Sequence, residues 1–264
     1  MGKTIQQTVP AALALDVFGD DLRAAIQIAS SSGFSSVALG VWHPQLNNPD
    51  FGATARRDLK RLLKSKNLSL ACIRAGIGPG GLFDPNTVDS CTTVGLSAIN
   101  LAADLGAKWT SLYIGEPPDI STKPSVIEAA LHEHLINADV AGVSLAVSSG
   151  GVDFLSALLR KHSAENLAVN LDTLKILSTG RSIGDALKIL AGHIGIWTCT
   201  DAVGSARAVR PAPLGSGTVP LHEIYDLLKQ QDFTGPIVID VRNLSNPLQA
   251  IIQAAEFMRK LLTI

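Results

Sequence analysis

The stretch Leu167-Ala-Val-Asn-Leu-Asp-Thr-Leu-Lys175 reads as a buried strand that carries a carboxylate, Asp172, to its C-terminal end, with a lysine three residues further on. Apolar runs that close on a polar residue recur along the chain, and Asp201 and Asp240 end two more of them. In a closed barrel of parallel strands the C-terminal strand ends surround one pocket, so groups far apart in sequence converge there. Asp172, Asp201 and Asp240 are therefore expected at a common mouth.

Short apolar or β-branched runs alternate throughout with segments of helical period, which predicts parallel strands joined by crossover helices. Strands are expected near residues 11–16, 36–41, 69–74, 109–114, 143–147, 167–171, 194–199 and 237–241. The first helix is expected to start behind Asp20 as its cap, to bury Leu22, Ala25, Ile26 and Ala29, and to stop at Gly33. Further helices are expected near 53–66, 88–105, 124–140, 154–162, 183–190, 221–230 and 247–262. Eight strand–helix units fill residues 1–264 without a linker, and closure removes edge strands, so the expected fold is α/β, a single (β/α)8 TIM barrel in one domain. The length suits that fold, which typically takes about 250 residues.

The chain is 46% hydrophobic and 17% charged, enough for a large core and without a signature of disorder. Its 22 basic and 23 acidic residues are interspersed, giving a net charge of −1 and no footprint for nucleic acid or a membrane surface. No apolar run approaches the roughly 20 residues of a membrane span. Residues 1–8 lack the charged-then-apolar order of a signal peptide, so a cytoplasmic location is expected. Cys72, Cys91 and Cys199 are widely spaced with no CxxC, which argues against a disulfide framework or a zinc knuckle. The partner expected from this composition is a small molecule, and a homo-oligomer is left open.

Several motifs carry a resemblance: Ala102-Ala-Asp-Leu-Gly-Ala107 before strand four, Asn170-Leu-Asp172-Thr after strand six and Thr200-Asp201 after strand seven. Pro213-Leu-Gly215-Ser-Gly217 and Thr234-Gly235-Pro-Ile-Val-Ile-Asp240 complete the set. Over nearly its full length the chain resembles the xylose-isomerase-like TIM-barrel superfamily of sugar isomerases and epimerases, which includes endonuclease IV-type enzymes. The resemblance implies a divalent metal held by Glu, Asp, His and Glu after strands five to eight. Here those positions hold Ser148, Asp172, Thr198 and Asp240, and the family's further His, three residues after the strand-six Asp, is Lys175. A protonated lysine has three donors and no lone pair, and a metal needs deprotonated ligands. The metal site thus reads as degenerate, no cofactor is expected, and Lys175 is expected to place its ammonium among Asp172, Asp201 and Asp240 in the ion's stead.

Around that centre, Arg74 after strand three suits an anionic ligand, and Arg242 is placed to bind ligand or to pair with Asp240. His43 after strand two and Glu116 beyond strand four are further polar candidates, with Ser148 and Thr198, for binding substrate. Trp42, Tyr113 and Trp197 are candidates for stacking on a sugar face or for core packing. Gly76-Ile-Gly78-Pro-Gly80-Gly81 matches GxGxxG, but Asp84-Pro85 intervenes before any helix and the acid expected on the ribose would be Asp104, inside a helix. A mobile glycine-rich lid is the better reading.

Two functions follow. One is a sugar isomerase or epimerase that moves a proton between neighbouring carbons, with Asp240 or Asp172 as base and Lys175 as electrostatic partner. The other is a catalytically silent barrel that binds or senses a small ligand. The endonuclease reading lacks both histidine ligands and a basic rim.

Overall fold

Side chains alternate along a strand, and in β6 (Leu167–Asp172) this separates Ala168, Asn170 and Asp172 from Leu167, Val169 and Leu171. The second set is buried in the apolar shell between strands and helices. The first set turns toward the axis of a barrel. The structure is a computed structural model that describes residues 9–263 apart from 17, 49, 77, 79, 120, 163 and 205–207; the signal-peptide reading, which concerns residues 1–8, lies outside the described residues.

Eight parallel strands close the barrel: β1 (Val9–Ala14), β2 (Phe34–Gly40), β3 (Ser69–Gly76), β4 (Trp109–Tyr113), β5 (Ser144–Ser148), β6, β7 (Ile194–Cys199) and β10 (Ile237–Ile239). They follow one another in chain order around the sheet, and β10 pairs with β1 to complete it. A short antiparallel hairpin, β8 (Asp201–Val203) with β9 (Arg210–Ala212), branches off beyond β7. Outside lie α1 (Leu22–Ser31), α2 (Ala53–Ser65), α3 (Val88–Leu105), α4 (Glu128–Ala141), α5 (Val152–Lys161), α6 (Thr173–Ser178), α7 (Ile183–Ile189), α8 (Leu221–Gln230) and α9 (Pro247–Leu261). The chain is a (β/α)8 barrel.

Most helix ends have local causes. The carboxylate that caps α1 is Asp21, not Asp20: it accepts from the Ala24 N–H at 2.9 Å. Gly106 and Gly142 end α3 and α4 in the left-handed region, where a side chain is strained. The segment expected as one helix over 124–140 is divided, with a 3-10 turn at Pro124–Val126 before α4. Helix α6 and the hairpin β8–β9 were not legible in the sequence; six residues are under two helical turns, and Asp201-Ala-Val203 and Arg210-Pro-Ala212 are not apolar runs.

Two apolar layers hold the barrel. Leu13, Leu39, Ile73, Leu112 and Leu145 are fully buried outside the strands, each contributing roughly 1.5–3 kcal/mol on transfer from water. The inner layer is made of small residues, Ala12, Ala14, Ala38, Cys72 and Ala146 with Ile196 and Val238. Trp109 packs below them; a Cβ on Gly195 would meet its ring at 2.5 Å. Small inner residues leave room above for long polar side chains, and it is this space that the mouth uses.

Candidate active site

Strand alternation predicts that Cys72 and Arg74 share the inner face of β3, and Arg74 rises from there into the mouth. Its guanidinium bridges two carboxylates, with Nη1 2.5 Å from Oδ2 of Asp16 and Nη2 2.6 Å from Oδ2 of Asp240. Asp16 lies just beyond β1 and Asp240 just beyond β10. The three side chains are 10%, 1% and 10% exposed, so their charges meet largely out of water.

Asp240 receives a second guanidinium. Arg242 donates from Nε at 3.0 and 2.9 Å to the two carboxylate oxygens, and from Nη2 at 2.7 Å. The Arg242 backbone N–H adds a bond of 3.0 Å, which turns the chain out of β10 at this point. Trp42 lies against both arginines, its ring centroid 5.8 Å from the Arg74 guanidinium carbon and 5.6 Å from that of Arg242. Gly40 permits this packing. A Cβ there would lie 2.4 Å from the indole and 2.5 Å from the Asp16 carboxylate, which instead accepts the Gly40 N–H at 2.8 Å.

The two carboxylates on Arg74 are pushed in opposite directions. Burial raises the Asp16 carboxyl above its ordinary range despite Arg74. Burial acts upward at Asp240 as well, but the guanidiniums of Arg74 and Arg242 outweigh it and hold that group well below the usual carboxylate range. Burial also pushes the nearby Cys72 thiol up to about 12, which keeps it protonated and unreactive near neutral pH.

Across the mouth the polar groups are less committed. Asp172 ends β6 and caps α6, accepting the Lys175 N–H at 3.1 Å. Burial raises its carboxyl above the ordinary range, against the lowering effect of that bond. The Lys175 ammonium lies 4.0 Å over the Tyr113 ring, and no carboxylate pairs with it among the described residues. Asn170, one alternation below Asp172, donates to Ser111 Oγ at 2.8 Å and accepts from Thr198 Oγ1 at 2.9 Å.

Two adjoining cavities of about 380 and 340 Å³ occupy the mouth and share Asp172, Lys175 and Arg242. Arg74 and Ser148 line the first, and Thr198 and Asp240 line the second. The structure therefore brings together seven of the polar and charged residues singled out from sequence, with Trp42 and Tyr113 beside them. A larger cavity of about 700 Å³ opens at the other end, around Trp109, His193 and Phe233, but barrel enzymes place their chemistry at the C-terminal strand ends.

Trp197 packs in the core, fully buried with Nε1 donating to Thr173 Oγ1 at 3.0 Å, and three polar candidates also line neither cavity. Asp201 is the clearest correction: its carboxylate accepts from the N–H groups of Ala202, Gly215, Gly217 and Val219 at 2.8–3.2 Å, so it organises the 215–219 loop instead of joining the other acids. Glu116 binds the Tyr113 hydroxyl at 3.1 Å and the Gly150 N–H at 2.7 Å, tying the loop after β4 to that after β5. His43 is buried, and its Nδ1 accepts from the Gln45 N–H at 3.2 Å. The glycine-rich segment is anchored at one end, because the Leu82 N–H binds the Ile114 carbonyl at 2.9 Å and a Cβ on Gly81 would strike that oxygen at 2.2 Å.

The expected place of Lys175 also needs correction. The cation lying between acids is Arg74, bonded to Asp16 and Asp240, while Lys175 rests on an aromatic face. Asp16 was missed, although Ala11-Ala-Leu-Ala-Leu-Asp16 carries the same signal of an apolar run closing on an acid. Asn170 and Ser111 were legible as the positions two residues before Asp172 and Tyr113.

The donor set does not fit a divalent cation. At the four positions the resemblance implies as ligands, Ser148 and Thr198 offer neutral hydroxyls, Asp240 is engaged by two guanidiniums and Asp172 caps a helix. Among the described residues no three His, Cys, Asp or Glu side chains group so as to hold a metal ion.

Comparison with known proteins agrees with this architecture. A crystal structure of a xylose isomerase domain protein from Planctomyces limnophilus superposes with a TM-score of 0.83 at 17% identity, covering 98% of this chain and 97% of that one. A xylose isomerase-like TIM barrel protein from Mycobacterium smegmatis, solved in complex with magnesium, gives 0.78 at 16% identity over 97% of each chain. D-psicose 3-epimerase with D-tagatose from Clostridium cellulolyticum H10 gives 0.70 at 18% identity, covering 95% of this chain and 99% of that one. No curated protein matches the sequence. The family model described as xylose isomerase-like TIM barrel matches residues 26–261, and the chain belongs to that family.

Proposed function

We propose that the chain is an isomerase of a small sugar or related hydroxy-carbonyl compound, acting by proton transfer without a tightly bound metal. One observation carries the reading: of the carboxyls lining the two cavities, Asp240 is locked by two guanidiniums and Asp172 is not, and burial moves Asp172 toward the range in which it can both take and return a proton. Asp240 holds its charge too tightly to serve as base.

In this mechanism Asp172 removes the proton from the carbon beside the carbonyl, and the electron pair moves onto the carbonyl oxygen. Lys175, also lining both cavities, holds the developing oxyanion. Asp172 then returns the proton to the neighbouring carbon, while a hydroxyl proton passes between the two oxygens. One unlocked carboxyl suits a shift along one face of the substrate. Inversion at a single carbon would need a second proton carrier on the opposite face, so isomerisation is favoured over epimerisation.

Solvent deuterium incorporation into a panel of aldoses, ketoses and their acids, followed by proton NMR, tests the proposal. General acid–base catalysis contributes about 10²- to 10⁴-fold, so Asp172→Asn lowers the exchange rate by that factor while the fold is kept, since asparagine also caps helices. Absence of exchange with every compound favours the second reading, a silent ligand-binding barrel, for which the locking of Asp240 speaks.

A further inference from the structure

The mouth holds cationic donors that no protein oxygen uses among the described residues. Arg242 spends Nε and Nη2 on Asp240, while its Nη1 makes no hydrogen bond among the described residues. Lys175 has three N–H donors, and its contact is with the Tyr113 ring. Both side chains line both cavities. The carboxylates of Asp16 and Asp240 have their oxygens taken by Arg74, Arg242 and the Gly40 N–H, leaving them little to offer a ligand's hydroxyls. A neutral sugar would offer these donors only hydroxyl and carbonyl oxygens, whereas a carboxylate would accept from both with charge.

We infer that the substrate is a hydroxy keto acid of sugar type, whose carboxylate is gripped by Nη1 of Arg242 and whose adjacent reacting carbonyl oxygen is held by Lys175. This deepens the isomerase reading and takes from it the position of the reacting carbons beside Asp172. A carboxylate next to the carbonyl also lets the two cations act on one planar fragment, with the indole of Trp42 at the wall of the same cavity. Cavities of about 380 and 340 Å³ have room for such a ligand.

A phosphate would present negative charge too, but the fold has closed its usual receptor. Barrels commonly bind phosphate with the backbone of the loops after strands seven and eight. Here the N–H groups of Gly215 and Gly217 already donate to Asp201 at 2.9 and 2.8 Å. A Cβ on Gly217 would lie 2.1 Å from that carboxylate, so the loop is shaped around it. The remaining donors suit a singly charged planar group.

Calorimetric titration of the full chain at pH 7 with matched probes tests this: 2-ketogluconate, whose carboxylate adjoins its carbonyl, against fructose, gluconate against sorbitol, and glucose 6-phosphate. The acids are expected to bind about tenfold tighter than their neutral partners, with the preference shrinking at high salt as screening grows. Arg242→Met is expected to cut the preference by roughly tenfold. Should that variant fail to fold, the preference of the native protein and its salt dependence decide alone. Equal binding of the neutral partners, tighter binding of glucose 6-phosphate, or no binding of any acid overturns the inference. Acid binding without proton exchange supports it and overturns the isomerase reading. Exchange on neutral sugars without an acid preference does the reverse.

Discussion

The two halves of the barrel mouth are built from the same kinds of side chain and behave differently. On the β1, β3 and β10 side, Asp16, Arg74, Asp240 and Arg242 follow one another in a series of ion pairs that, among the described residues, leaves over Nη1 of Arg242 at its outer end. On the β4 and β6 side, Asp172 and Lys175 stand three residues apart with an N–H bond between them, and the ammonium lies on Tyr113. Charges that satisfy one another make a scaffold. Charges held near one another without pairing keep a proton and three N–H donors for a ligand.

Removing Arg74 should break the first half outright. Arg74→Met leaves Asp16 and Asp240 without the guanidinium between them, and loss of one partner of a buried pair costs about 3–5 kcal/mol. Urea unfolding at pH 7 measures it. The sign with pH follows from the shifts: Asp240, held below its ordinary value of 3.8, contributes stability that is present above that value and lost as pH falls through its folded value. Asp16, raised above 3.8 by burial, works in the opposite direction. In the variant both carboxyls rise, so the deficit against the native chain should begin to shrink as pH falls through their raised values, already above the ordinary 3.8. A deficit constant from pH 7 to pH 3 would show that packing, not charge, holds this half together.

A smaller loss is expected where backbone meets the locked half. Gly40→Ala puts a methyl within contact of both the Trp42 ring and the Asp16 carboxylate, and overpacking of this kind costs about 1–3 kcal/mol. Thermal unfolding checks it, with Gly52→Ala as control because a Cβ there meets nothing within 4 Å. Equal effects at the two positions would deny the tight packing of Trp42.

Lys175→Met should change stability least. A cation–π contact at a partly exposed site contributes about 0.5–1 kcal/mol, far below the cost of opening an ion pair between carboxylates. Yet the same variant should lose most of the deuterium exchange. A loss of 3 kcal/mol or more in urea would mean that Lys175 pairs with Asp172 in solution and that the two halves are alike.

The unequal halves were unequally legible. Strand order and the placing of Asp172 and Asp240 follow from runs of four to eight residues that alternate and then end on an acid, a pattern contained within each segment. The Arg74 bridge spans 58 residues to Asp16 and 166 to Asp240, and nothing local to any of the three announces it. Lys175 was expected at the centre of the acids because a family position put it there. Its side chain instead turns to the aromatic face that β4 supplies. Asp201 shows the limit of the strand-end signal, since a carboxylate there can serve the backbone of its own loop as readily as a pocket.

Asp201 has one more consequence, for the medium in which the protein works. Because its carboxylate is covalently part of the loop it fills, it competes for the Gly215 and Gly217 N–H groups at an effective concentration of the millimolar order or above, with no translational entropy lost on binding. Dissolved phosphate and sulfate must displace a tethered rival to enter that loop. This loop should therefore give no saturable rise in thermal midpoint with millimolar phosphate over chloride at equal ionic strength, a tolerance conferred by one side chain turned inward.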